Sequence, residues 1–190
     1  MQAQQPPAIS FVPELDKTLR DLATALNPVP QLKWGVHGSC AARVRGATII
    51  QPDDIDVLVN RLMDAKAALL ESHRFEFVSG RPGGVQKFKH IETSTMVDLA
   101  DAQDFLPNFE TSPVETIPFF TLAEVLVSLI LRPERRDKEI KAFAYLVIKC
   151  ADLLYPDEKK RICERARAKT WPDVVENAGK AAAHYGIKFV

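Results

Sequence analysis

Asp54 and Asp56 open the run DIDVLVN, two positions apart at the head of an alternating apolar stretch. In an extended strand both side chains leave the same face, with Cα atoms about 6.5 to 7 Å apart. Carboxylates that face together need a cation, a shared proton or solvent, and the usual compensation is a hard, oxygen-liganded ion. Asp98, in STMVDLA, stands between Val97 and Leu99 and so points away from the face those two bury. If that strand lies beside DIDVLVN, three carboxylates meet on one surface and form a donor set suited to Mg²⁺ or Mn²⁺. An EF-hand is excluded: counted from Asp54, its fifth and sixth positions fall on Leu58 and Val59, where an oxygen ligand and a glycine are required.

Upstream, Gly38 and Ser39 stand where an apolar run meets a short helical pattern in WGVHGSCAARVRG. A strand-to-helix junction leaves backbone N–H groups free for phosphate, and glycine permits close approach. Ser39 adds a hydroxyl donor, Arg43 and Arg45 follow one to two turns on, and His37 adjoins the turn, within reach of a nucleotide. Singly, each feature has an ordinary explanation as a turn or a solvated strand start. Their order makes one coherent site: Gly-Ser, a short helix, a strand with paired aspartates, then a strand with one.

The elements that must position these groups are readable from hydrophobic spacing. Leu15, Leu19, Leu22 and Leu26 recur at three and four residues, which predicts an amphipathic helix stopped by Pro28 and Pro30. QLKWGVH predicts a short strand, and Gly46 ends the helix that follows it. DIDVLVN sets Ile55, Val57 and Val59 on one face and Asp54, Asp56 and Leu58 on the other. RLMDAKAALLESH predicts a helix with Leu62, Ala65, Leu69 and Leu70 at helical spacing, and RFEFVS, VQKFKHI and STMVDLA predict three more strands. Lys87 and Lys89 share one strand face, which reads as solvated more readily than as phosphate-binding.

From Thr121 the pattern is helical throughout, with prolines at 133, 156 and 172 near helix starts. The basic run EKKRICERARAK reads as a largely solvated helix face with Ile162 and Ala166 inward, and Trp171 and Tyr185 as packing for the last helix. The expected fold class is α/β (α+β): a mixed sheet flanked by helices, with an α-helical C-terminal part. The expected division is a mobile lead-in over 1–12, a core over 13–115 and a helical part over 116–190 packed on that core.

The 25 basic residues balance 25 acidic ones in a 190-residue chain. That balance argues against tight duplex-DNA binding, which needs clustered Lys and Arg, and favours small-molecule or protein partners. Cys40, Cys150 and Cys163 are far apart and form no CxxC, so neither a disulfide framework nor a zinc site is indicated and a reducing, cytoplasmic setting is expected. The N-terminus lacks the pattern of a secretory signal. The most apolar stretch, TLAEVLVSLIL, is too short to span a membrane and carries Glu124, so no membrane association is expected.

HGSCAARVRG…DDIDVLV…MVDL resembles the DNA polymerase beta-like nucleotidyltransferase superfamily, in the style of its minimal abortive-infection and antibiotic nucleotidyltransferases, over roughly residues 32 to 150. The resemblance implies that Gly38 and Ser39 hold the nucleotide phosphates, with His37 and Arg43 nearby. It implies that Asp54, Asp56 and Asp98 bind the metal, with Asp98 also able to accept the proton of the attacking hydroxyl. The implied reaction moves a nucleoside monophosphate from a nucleoside triphosphate such as ATP to an acceptor and releases pyrophosphate. The acceptor, whether small molecule, protein or RNA, is left open. Family members often carry a lysine where this chain reads Ser128, and Arg132, Arg135, Arg136 or Lys138 could take over its phosphate contact. The alternative is a nucleotide-binding or regulatory protein of the same fold without efficient catalysis.

Overall fold

The computed structural model describes residues 11–104, 109–131, 136–167 and 169–189. Most of the lead-in, together with Arg132 and Arg135, lies outside the described residues.

Helix α1 (Pro13–Leu26) starts on a proline, whose fixed φ suits the first helical position, and buries the whole stripe Leu15, Leu19, Leu22 and Leu26. There follow β1 (Trp34–His37), α2 (Gly38–Val44), β2 (Asp54–Val59), α3 (Leu62–Glu71), β3 (Phe75–Gly80), β4 (Gln86–His90) and β5 (Met96–Asp101). A hairpin of β6 (Thr111–Val114) and β7 (Ile117–Phe120) leads into α4 (Leu122–Leu131), α5 (Asp137–Cys150), α6 (Pro156–Arg165) and α7 (Trp171–His184). In α3, Leu62, Ala65 and Leu69 are buried but Leu70 faces solvent, because adjacent helical residues point about 100° apart.

Among the described residues, seven strands form one sheet in the order β3-β4-β5-β2-β1-β7-β6. β2 and β5 run parallel, as do β1 and β7, and the other pairs are antiparallel, so the sheet is mixed as the sequence predicts. The β6–β7 hairpin was not legible in TSPVETIPFF, where Pro113 and Pro118 argue against strand. Its outer strand is the sheet edge, where a missing N–H is tolerated. The hairpin spans residue 115, the expected end of the core.

Burial sets the register at the centre of the sheet. Ile55, Val57, Val59, Val97 and Leu99 are fully buried, and each such burial is worth about 1.5–3 kcal/mol. A slip of one residue would exchange them for Asp54, Asp56 and Asp98, so the aspartates are held on the opposite face.

The helices after the sheet pack onto it through α2, which meets both α4 and α5. Glu124 of α4 is fully buried, and Arg165 Nη1 donates to its two oxygens at 2.7 and 2.9 Å. Arg161 grips Glu110 with two bonds of 2.6 and 2.8 Å. The basic run of α6 is therefore not simply a solvated face: two of its arginines turn inward to meet acids from other elements. Ile162 is buried there as expected, and Trp171 packs against the core. No described helix is long and apolar enough to cross a membrane. Cys40, Cys150 and Cys163 are buried free thiols.

Candidate active site

β2 and β5 bring the three aspartates to one face. Asp56 and Asp98 are direct partners in the parallel register, and Asp54 pairs with Met96 two positions earlier. Neighbouring strands lie about 4.8 Å apart, so Asp56 and Asp98 stand side by side. On the other flank, β1 runs antiparallel to β2 and sets His37 opposite Asp56.

Gly38 follows His37 directly and opens α2 with φ of +61°, a conformation that favours glycine. A Cβ there would lie 1.8 Å from Asp56 Oδ2, so the chain turns immediately over that carboxylate. Cys40 fastens the turn from below, its thiol donating to the Asp54 carbonyl at 3.4 Å. Burial, with added repulsion from Asp56 and Asp54, pushes the Cys40 thiol far up, so it stays protonated and serves as packing.

His37, Asp54, Asp56 and Asp98 line one cleft of about 280 Å³ with Leu58, Val85, Lys87, Ala100 and Arg136. Gly38 and Ser39 border a narrow crevice beside it, together with Asp56, Ser128, Arg136 and Lys138. His37 is buried, its ring edge against Phe120 with centroids 5.4 Å apart. Arg43 is placed differently: its Nη1 donates to the carbonyls of Thr48 and Ile50 at 2.9 and 2.7 Å, bracing the loop after α2. Arg45 likewise donates to the Phe119 and Phe120 carbonyls at 2.9 and 2.8 Å and fastens α2 to the last hairpin.

Two cations face the three carboxylates. Lys87 is the antiparallel partner of Asp98, and its Nζ donates to both carboxylate oxygens at 3.0 and 3.3 Å. Lys89, on the same strand face, pairs instead with Glu76 at 3.5 Å. Arg136 precedes α5, and its guanidinium is held at elevated pKa first by its hydrogen bonds to Glu139, against burial, and further by the charges of Asp54 and Asp56. Glu139 fixes that position: one oxygen accepts the Arg136 backbone N–H at 3.0 Å and the other accepts the guanidinium at 2.9 and 3.1 Å. The sequence reading passed over Glu139; an acid three residues into a helix is the signal that could have found it. Lys138 is drawn to Asp53 at 2.8 Å, and this bond, partly opposed by burial, holds the Asp53 carboxyl below its usual range.

The donor set fits a divalent ion in kind, since Asp54, Asp56 and Asp98 offer only hard oxygens. Among the described residues, however, no three His, Cys, Asp or Glu side chains are gathered tightly enough to grip an ion as they stand. Asp98 is turned onto Lys87, and Arg136 lies in the field of Asp54 and Asp56.

No family model and no curated protein matches the sequence. Solved structures do match in shape. JHP933 from Helicobacter pylori is 8% identical with a TM-score of 0.56, over 93% of this chain and 95% of that one. A second H. pylori protein, provisionally named a nucleotidyltransferase, is 7% identical with a TM-score of 0.55, over 92% of this chain and 96% of that one. At such identities the likeness concerns the fold alone, and that fold, a mixed sheet flanked by helices, agrees with the architecture that the sequence resemblance implies.

Proposed function

We propose that the protein is a metal-dependent nucleotidyltransferase, moving a nucleoside monophosphate from a nucleoside triphosphate to the hydroxyl of an acceptor. The observation that supports this most is the in-register Asp56–Asp98 pair, with Asp54 on the same face and Gly38 turning over Asp56. No structural requirement of the sheet calls for three acids on one half-open face, where like charges repel.

In this reading Asp54, Asp56 and Asp98 would hold Mg²⁺ or Mn²⁺, which when bound supplies charge neutralisation at the phosphates and a more acidic acceptor hydroxyl. The backbone N–H groups of Gly38 and Ser39 donate to the triphosphate, with His37 beside them. Arg136 takes the phosphate contact for which family members often use a helix lysine. Ser128, at that helix position, is buried with its hydroxyl turned back to the Val125 carbonyl at 2.8 Å. Asp98 accepts the proton of the acceptor hydroxyl as its oxygen bonds to the α-phosphorus and the bond to pyrophosphate breaks. Leu58, Val85 and Ala100 form the apolar wall that limits water at that step.

The core over 13–115 and the helical part over 116–190 act as one unit in this reading, because α5 carries the start of the phosphate-binding side. The free buried thiols fit an intracellular, cytoplasmic setting. The acceptor is a small molecule, a protein or an RNA.

The test is incubation with Mg²⁺ or Mn²⁺ and each labelled nucleoside triphosphate over pools of those three acceptor classes. Pyrophosphate release and label transfer that vanish in Asp56→Ala support the enzyme. A second reading, a nucleotide-binding protein without turnover, is favoured by one observation: Asp98 is already engaged by Lys87. Saturable triphosphate binding with no pyrophosphate release from any pool supports that reading instead.

A further inference from the structure

We propose that Lys87 is a transferable counter-charge: it holds Asp98 in the substrate-free cleft and passes to the polyphosphate of a bound nucleoside triphosphate when a divalent ion takes Asp98. This rests on the reading of the cleft as a metal and triphosphate site.

The geometry points to Lys87 for three reasons. The lysine is placed by backbone register, being the cross-strand partner of Asp98 on β4, so its reach is centred on that carboxylate. Its side chain is 49% exposed and Asp98's is 22% exposed, so the pair sits at the mouth of the cleft and can separate without opening the core. An exposed lysine–carboxylate pair contributes little, and a divalent ion readily outcompetes it. The freed ammonium stays in the same cleft, where the incoming triphosphate is the strongest available anion. A compact ammonium on a four-carbon stem suits this exchange better than a planar, bidentate guanidinium.

Charge accounting gives the same direction. Lys87 and Arg136 line the cleft with the three carboxylates, but Arg136 is also bonded to Glu139, so Asp98 is the acid that a metal ion arriving alone meets already paired. Metal and triphosphate then favour one another, because each removes what opposes its partner, and the coupling is reciprocal. An ordinary cross-strand pair predicts none of this: it contributes to sheet stability and leaves both ligands indifferent to residue 87.

The experiment measures Mn²⁺ binding by electron paramagnetic resonance and binding of a non-hydrolysable nucleoside triphosphate analogue by calorimetry, on the full chain. Wild type, Lys87→Met, Lys87→Arg, Lys89→Met and Asp56→Ala are compared. In the wild type the analogue should tighten Mn²⁺ at least about tenfold. Lys87→Met should bind Mn²⁺ alone several-fold more tightly, yet bind the analogue with saturating Mn²⁺ several-fold more weakly. Lys87→Arg should recover the analogue affinity in part, and Lys89→Met should match the wild type in both. If the wild type binds both ligands, Asp56→Ala weakens them and Lys87→Met changes neither, Lys87 is a sheet ion pair and the proposal falls. The proposal also falls if Lys87→Met weakens both ligands together. If the wild type binds neither ligand, or Asp56→Ala changes nothing while Lys87→Met acts as described, the site has been misread and the proposed function itself falls.

Discussion

Asp21 and Asp98 are carboxylates on opposite sides of one sheet, and each faces residues of β4, yet they are held in different ways. Asp21, on α1, is only 7% exposed and is engaged by His90 Nε2 at 2.9 Å, by the Arg74 guanidinium and by Lys17 at 3.4 Å. His90 is fixed in turn, since the Thr93 backbone N–H donates to its Nδ1 at 3.2 Å and leaves the Nε2 proton for Asp21. Asp98 has one flexible lysine at a wetter site. A carboxylate that serves the fold is bonded from several directions by groups that cannot leave together. In the proposed reading, one that serves chemistry is balanced by a partner that can be exchanged. Glu124, fully buried between Arg165 and Arg161, repeats the first arrangement among the C-terminal helices.

The contrast is breakable, most strongly at the cleft. Asp56→Ala should lower pyrophosphate release by about 10³-fold or more, measured with radiolabelled triphosphate, while the melting temperature holds or rises because a repulsive pair is removed. A fall in stability as large as the fall in activity would place Asp56 with the structural acids.

Next in size, Arg165→Ala should cost about 3 kcal/mol in chemical denaturation, since it leaves Glu124 buried beside a more distant guanidinium. A neutral result would mean that the buried acid takes up a proton at no cost, and the distinction between the two regions would weaken. Gly38→Ala should destabilise by about 1–3 kcal/mol through its positive φ and its collision with Asp56, and should reduce triphosphate binding beyond what stability explains.

A gentler effect is expected in the acid range. Burial raises the Asp21 carboxyl, but the His90 hydrogen bond and the Arg74 and Lys17 contacts outweigh it, and its pKa lies below the ordinary value. A depressed carboxyl contributes stability above its unfolded pKa of about 3.9 and loses it as pH falls through the folded value. Denaturation curves below about pH 4 should therefore show a decline that His90→Gln makes shallower. Smallest of all, Lys89→Met should change stability by less than about 0.5 kcal/mol and leave pyrophosphate release unaltered. That outcome would sharpen the claim that position 87, not the lysine-bearing face in general, belongs to the cleft.

Much of the arrangement was legible beforehand because it depends on short-range pattern. The leucine stripe of α1, the alternation in β2 and the isolated Asp98 between Val97 and Leu99 each state which side of an element is wet, and the described residues carry those sides as read. Gly38 was legible as a close approach, although what it approaches is the Asp56 carboxylate. Leu70, the β6–β7 hairpin and the inward turn of Arg161 and Arg165 were not legible. Leu70 was misplaced by one helical step, whereas the hairpin and the two arginines depend on neighbours distant in sequence: Arg165 is drawn inward because Glu124, 41 residues earlier, is fully buried.

The sequence alone therefore determined the buried stripe of α1, the alternation of β2 and the wet side of β5, and with them the three acids, the glycine turn and the fold class they imply. Those follow from periodicity, a property of a few consecutive residues. Only the tertiary structure decided which charge meets which: Lys87 rather than Lys89 on Asp98, Arg136 rather than Arg43 at the cleft, and Asp21 clamped while Asp98 is lightly held. Coulomb energy depends on separation in space and on the surrounding dielectric, and both come into being only when β4, β5 and the start of α5 are brought together.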